Sequence, residues 1–455
     1  MADNDIPPAW VRSRALLMPW LVALAILSSI ALVYRFFALI DTYAVNLLFS
    51  DQWDIYDPLF REQGLWALFS QQHGPHRQGL GAIVIAIIAG LTQWNSRADA
   101  FTVGSIITGA MLAALYLKRR LFGALSITDA IIPLIFLTTT QYESLVITPN
   151  PAHGALPVLL VLLSALAWSL RHSLARYTAI VVLNFLLIFT GFGLFMGLIT
   201  PPLLALDTYQ QARDRRGKAW VPPFAALGAA LASIYAFSIG YVFEPAIACF
   251  RFPHQRPLEY PWFVGLILAR FLGVSYGPAM ALASVLGSAL LVLMVGVLIY
   301  HLIILARSGL RDRYISMAIV LLIGYSLVFC ANTAIGRICA GPGSSQSSRY
   351  MTLLIPAFFG LYIHLQTLRR APVRYAALAL CAALLLPLPS HTRDDIQVTR
   401  GFTDGKLLWK ACYLRTENIK RCDSEAKFLV YPTSPALKER LAYLKQHQLN
   451  LFAPP

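Results

Sequence analysis

A chain of 455 residues that is 57% hydrophobic and 13% charged, with a mean hydropathy of +0.61, carries too much apolar material for one or two soluble domains. Its net charge of +15 sits in short clusters between apolar runs and not on one face or tail, which reads as membrane topology and argues against a nucleic-acid partner. The composition predicts an all-α polytopic membrane protein.

The opening MADNDIPPAWVRSR precedes an apolar run over 16–40 that is too long for a signal-peptide core and is followed by no small-residue cleavage site, so it is expected to stay as a first membrane helix. Basic clusters at Arg12/Arg14, Lys118–Arg120, Arg171/Arg176, Arg213–Lys218, Arg307–Arg313 and Arg369–Arg374 mark one side, the cytoplasmic one. About twenty apolar residues per crossing then predict helices near 16–40, 98–117, 124–142, 154–170, 177–190, 192–208, 221–243, 278–306, 314–332, 350–368 and 373–389. That gives about eleven crossings in a membrane domain over 1–389, with the tail 390–455 outside.

Two apolar runs, 81–94 and 262–275, are short for a span and fit helices lying along or dipping into the outer leaflet. The helices 177–190 and 192–208 meet at Thr190-Gly191-Phe192-Gly193, and Pro201-Pro202 interrupts the second, a pattern typical of cavity-lining segments. The outward face thus collects 41–97, 141–153, 243–276, 333–349 and the tail. The tail is polar and mixed in charge, ends with Leu437, Leu441 and Leu444 at helical spacing, and reads as a small outer cap. Cys412 and Cys422 lie in it and form a disulfide if it faces an oxidising compartment. No CxxC or HExxH spacing is present, so no metal site is expected.

The first outer segment holds Asp51, Asp54, Asp57, Glu62, His73, His76 and Arg77 in a chain otherwise poor in ionisable groups. Asp51 and Asp54 flank Gln52-Trp53 about ten residues beyond the first helix, near headgroup level. A carboxylate there is placed to take a proton from an acceptor hydroxyl while a lipid-linked phosphate leaves. The plainer alternative is a solvated loop with Trp53 as interface anchor. His73-Gly74-Pro75-His76-Arg77 sets two imidazoles around a turn and adds a forked phosphate donor. Arg349 and Arg337, at the outer face where a positive charge does not serve orientation, are expected to contact an anion. Glu143 emerges at the outer end of the third helix, where it either pairs with an Arg or shapes an acceptor pocket together with Tyr142 and Trp53.

The order of an acidic loop after the first helix, H-x-P-H-R, a short outer helix, Asn95-Ser96-Arg97 and a second helix ending in KRRLFG resembles the opening of GT-C glycosyltransferases. In layout the chain is similar to the protein O-mannosyltransferase and aminoarabinose transferase type. The DxW loop, the later SRY before a helix and a tail with a Leu-rich helix ending in Leu-x-Phe resemble bacterial multipass proteins of that superfamily. The resemblance implies a bacterial inner-membrane enzyme with a periplasmic site. Such an enzyme moves one sugar from a polyprenyl-phosphate donor to a glycan or protein acceptor by an inverting displacement, with no cofactor and no metal. It puts Asp51 or Asp54 in the role of base, and Arg77, His73, His76, Arg349 and Arg337 around the donor phosphate. Many relatives carry an Asp-Glu or Asp-Asp pair where this chain has Asp51-Gln52, so the choice between Asp51 and Asp54 stays open. The rival expectations are an O-antigen polymerase or ligase and a lipid-linked sugar flippase, the latter needing no base and usually showing internal repeats.

Overall fold

The computed structural model describes residues 9–213, 217–244, 247–277, 279–307, 310–388, 393–431 and 436–454. Among them the only strands are Gln72–His73 and His76–Arg77, a two-residue antiparallel pair. The chain is an all-α membrane protein in which six helices are long and apolar enough to cross a bilayer: Val22–Tyr43, Ser96–Phe122, Gly191–Arg213, Val221–Ser238, Met280–Arg307 and Arg313–Ala340. Each further place where the sequence predicts a crossing also holds a helix. Ala155–Trp168, Ser173–Ile188, Met351–Gln366 and Ala371–Leu385, however, have only 14 to 16 residues. At 1.5 Å per residue these reach about 21–24 Å, short of a ~30 Å hydrocarbon core. Ala155–Trp168 and Met351–Gln366 are buried on nearly every side, so their apolar composition reflects protein packing as much as lipid.

The third predicted helix, 124–142, also falls short: Ile127–Gln141 is a 3-10 turn running into Ile131–Phe136 and a second 3-10 turn. The Gly191 segment winds as 3-10 to Leu198 and then as α-helix over Thr200–Arg213. Pro201 and Pro202 sit in the first turn of that second piece, where a missing N–H costs nothing. The two short outer helices differ in their surroundings. Leu80–Thr92 buries Gly81, Ala82, Ile85 and Ala89 and leaves Ile87 and Leu91 exposed, as a one-sided interfacial helix does. Glu259–Phe271 instead has every residue from Phe263 to Phe271 buried and meets Met280–Arg307 where Gly265 and Gly287 bring the two backbones together. The expected leaflet helix at 262–275 is therefore an internal one.

Basic residues read as topology signals also hold buried pairs. Lys118 Nζ lies 2.8 Å from Asp129, which also accepts from Tyr362, and Arg313 lies 2.5 Å from Asp207, which accepts from Tyr177 at 2.7 Å. On the opposite side the tail folds as Arg393–Thr416, Ile419–Ala426 and Leu437–Gln446. Leu437, Leu441 and Leu444 point into a core shared with Trp53, Tyr56 and Trp94 of the first outer segment and Trp409 of the tail. The cap and the acidic loop are thus one packed unit.

Candidate functional site

Asp51 is presented by a short turn of helix, Gln52–Ile55, that begins directly after it. Ser50, at φ 49°, turns the chain, and its N–H donates to the Val430 carbonyl of the tail at 2.9 Å. Gln52 is buried and bridges inward: the Phe49 N–H donates to its Oε1 at 3.2 Å, and its Nε2 donates to the Pro149 carbonyl at 3.2 Å. Trp53 is fully buried and stacks on Phe60. It therefore backs the loop and neither lines an open acceptor pocket nor anchors a membrane surface. With Gln52, Trp53 and Ile55 directed inward, Asp51 and Asp54 are left on the open side, each more than a third exposed.

The two carboxylates have different neighbours. One Asp51 oxygen lies 3.8 Å from Arg349 Nη1 and 4.0 Å from His73 Nε2, close enough for attraction but beyond a hydrogen bond. Arg349 is held from its other side by Glu143, whose Oε1 accepts from Nε at 2.8 Å and from Nη2 at 2.6 Å. Ser347 Oγ donates to the second Glu143 oxygen at 2.9 Å, and the Arg349 N–H reaches the same atom at 3.2 Å. This clamp leaves Nη1 as the guanidinium nitrogen facing Asp51. Asp54, by contrast, accepts from the Tyr431 hydroxyl at 2.6 Å on both oxygens and sits 3.4 Å from Arg440, which also bonds Asp57 at 2.8 Å. Tail residues occupy Asp54; Asp51 is unoccupied by any of them.

Behind Asp51 stand three imidazoles. His76 Nε2 and His153 Nε2 are 2.9 Å apart, and the His73 ring lies 6.0 Å from His153 and 6.2 Å from His76. The backbones meet tightly here: at Gly79 and Gly191, both with positive φ, a Cβ would collide with the Phe189 and Ala152 carbonyls respectively. Burial, reinforced by the neighbouring imidazoles, lowers the His76 pKa well below its ordinary value, and burial with His73 and Arg349 does the same for His153. The pair is therefore neutral at pH 7, one Nε2–H donating to the other ring's bare nitrogen.

Arg77 is not part of this surface. It is 5% exposed, donates to the Phe237 carbonyl at 3.2 Å and 3.0 Å, to Ile239 at 2.6 Å and to Ser70, and lies over the Phe189 and Phe237 rings. Backbone carbonyls consume the donors that the sequence assigns to phosphate, so that expectation is corrected: Arg77 ties the hairpin to the end of Val221–Ser238. Arg337, at the C-terminal end of Leu310–Arg337, is half-buried near Tyr350 and makes no side-chain hydrogen bond or ion pair among the described residues. Tyr142 is buried, with the Arg270–Asp395 pair and Glu143 as its charged neighbours. A polar cleft of about 430 Å³ opens next to His73, lined by Asp54, Asp57, Gln71, Gln72, Glu244 and Arg440 among others.

No protein-family model, curated protein or solved structure matches the chain. Its functional reading rests on the arrangement itself. Among the described residues no group of three or more His, Cys, Asp and Glu side chains is spaced to hold a metal ion. Cys412 and Cys422 are bonded, and so are Cys249 and Cys339, a pair that 90 residues of separation hides in the sequence. His153, Ser347, Tyr431 and Arg440 were also not legible as site residues: each reaches the acidic loop or its partners from a distant segment, and none forms a local motif with it.

Proposed function

We propose that the chain is a GT-C-like glycosyltransferase that transfers one sugar from a polyprenyl-phosphate donor to a hydroxyl acceptor outside the membrane. The observation that carries this reading is the environment of Asp51: a half-buried carboxylate with no hydrogen bond from the tail, facing a clamped guanidinium at 3.8 Å and an imidazole at 4.0 Å. In this reading the Asp51 carboxylate takes the acceptor O–H proton as the oxygen attacks the anomeric carbon. The anomeric C–O bond to phosphate breaks with its electron pair staying on the polyprenyl phosphate, whose charge Arg349 Nη1 and the unpaired Arg337 receive. Glu143 keeps Arg349 in place, and the polar cleft beside His73 gives a hydroxyl-bearing acceptor an aqueous approach. All of the charge on the phosphate is met by guanidinium groups in this scheme.

The reading includes about eleven membrane segments, with the short helices completing the bundle, and a bacterial inner membrane with the site in the periplasm. Placement outside is supported by the cysteines: all four paired ones lie in segments on the Asp51 side, while Cys330 and Cys381, within helices, are free. The test is transfer of radiolabel from a polyprenyl-phosphate sugar by the purified protein in proteoliposomes. Transfer supports the enzyme; translocation of the intact donor without transfer supports a flippase instead.

A further inference from the structure

The outer half of the first helix carries a charge that the protein does not answer. Arg35 lies in the apolar window Val22–Tyr43, eight residues and so about 12 Å along the axis from its outer end. It is exposed and makes no hydrogen bond, ion pair or ring contact among the described residues. An unanswered guanidinium at that depth is costly, and reaching up to the interface is its usual relief. Arg35 instead lines a groove of about 680 Å³ between the first helix, the 127–134 segment and Ala371–Leu385. The rest of the groove is mainly aliphatic, Leu32, Ile131, Leu134, Leu378 and Ala382 among its walls, and among the described residues no carboxylate lines it.

We propose that this groove is a binding site for an anionic glycerophospholipid, its phosphate on Arg35 and an acyl chain along the aliphatic wall. A phosphodiester offers the oxygen pair that matches a guanidinium fork. Because, among the described residues, one cation and no anion line the groove, a head group with a net negative charge is complementary, and a zwitterionic one brings an ammonium with no partner. The groove shares no lining residue with the Asp51 cluster, so the site does not depend on the glycosyltransferase reading.

Native mass spectrometry of the full chain, released from detergent after incubation with phosphatidylglycerol or phosphatidylcholine, tests this. One phosphatidylglycerol per chain is expected to survive release, with about tenfold preference over phosphatidylcholine from the charge-assisted contact. Arg35→Ala is expected to lose that preference and Arg35→Lys to keep part of it. Ala382→Trp, which fills the groove while leaving Arg35 in place, is expected to lose retention, with a thermal melt confirming that each variant is folded. Equal retention of the two lipids by the wild type, or undiminished phosphatidylglycerol on folded Arg35→Ala, overturns the proposal. So does recovery of a polyprenyl phosphate or a second copy of the chain in place of the phospholipid.

Discussion

Asp51 and Asp54 stand three residues apart on the same turn, and their neighbours divide the work between them. Asp54 is engaged by Tyr431 and Arg440 and holds the loop to the tail; Asp51 accepts from its neighbour Ser50 on Oδ1 at 3.2 Å and turns Oδ2 toward Arg349 and His73. Tyr431→Phe removes one hydrogen bond and is expected to lower thermal stability by about 1 kcal/mol while leaving transfer near the wild-type rate. Arg77→Ala is expected to act as a folding lesion. It strands the carbonyls of Phe237 and Ile239, at about 1–3 kcal/mol for each buried group left unpaired, and circular dichroism melting measures that loss without any substrate. The His76–His153 pair adds a pH dependence. Both folded pKa values lie below the ordinary imidazole value, so below about pH 6.5 the unfolded chain binds more protons and stability falls as the pH is lowered. His153→Gln is expected to flatten part of that slope in melting curves recorded from pH 7.5 to 5.5. At this scale the charged residues of the loop were legible because charge is scarce in the chain. The direction of Arg77 was not, since a side chain's partners at Phe237 and Ile239 leave no mark on its own neighbours in sequence.

The elements around Asp51 are held by the tail. Helix Arg393–Thr416 buries Lys406, which donates to the Ile147 carbonyl at 2.5 Å and to Val146 at 3.3 Å, at the end of the turn Glu143–Ile147 that carries the Arg349 clamp. Burial lowers the Lys406 pKa to about 7, outweighing the carbonyls that favour the ammonium. The unfolded chain therefore binds the extra proton between about pH 7 and about 10.5, and stability is expected to rise with pH across that window. Lys406→Met should remove this rise in denaturant midpoints measured at pH 7 and pH 9; an unchanged slope would show that the lysine stays charged in the fold. The Cys412–Cys422 bond closes a loop of about ten residues, and its removal by paired Ser substitutions is expected to cost about 2–3 kcal/mol, read as a lower melting temperature of the cap. The last tail helix was legible from its Leu spacing. The core it shares with Trp53 and Trp94 was not, because period alone does not say which surface an amphipathic face covers.

Across the whole molecule the hydropathy pattern located the helices, while their depth in the bilayer escaped it. Ala155–Trp168 and Met351–Gln366 are as apolar as the long spans but are enclosed by protein, and 263–271, short and apolar like a surface helix, is enclosed as well. Hydropathy measures avoidance of water, and lipid and protein interior satisfy it equally. Orientation is testable without knowledge of depth. Alkaline phosphatase fused at the C-terminus is expected to be active in cells and a fusion after Phe122 inactive; the reverse pair would put Asp51 on the side of the basic clusters. Chemistry at Asp51 is tested most directly by radiolabelled transfer from a polyprenyl-phosphate sugar in proteoliposomes, comparing the wild type with Asp51→Asn and Asp54→Asn, and with donor binding measured in parallel. Asp51→Asn keeps shape and polarity while removing the base, so a rate at least about a hundredfold lower is expected, with donor binding retained and Asp54→Asn active. Wild-type transfer by Asp51→Asn would contradict a base at that position.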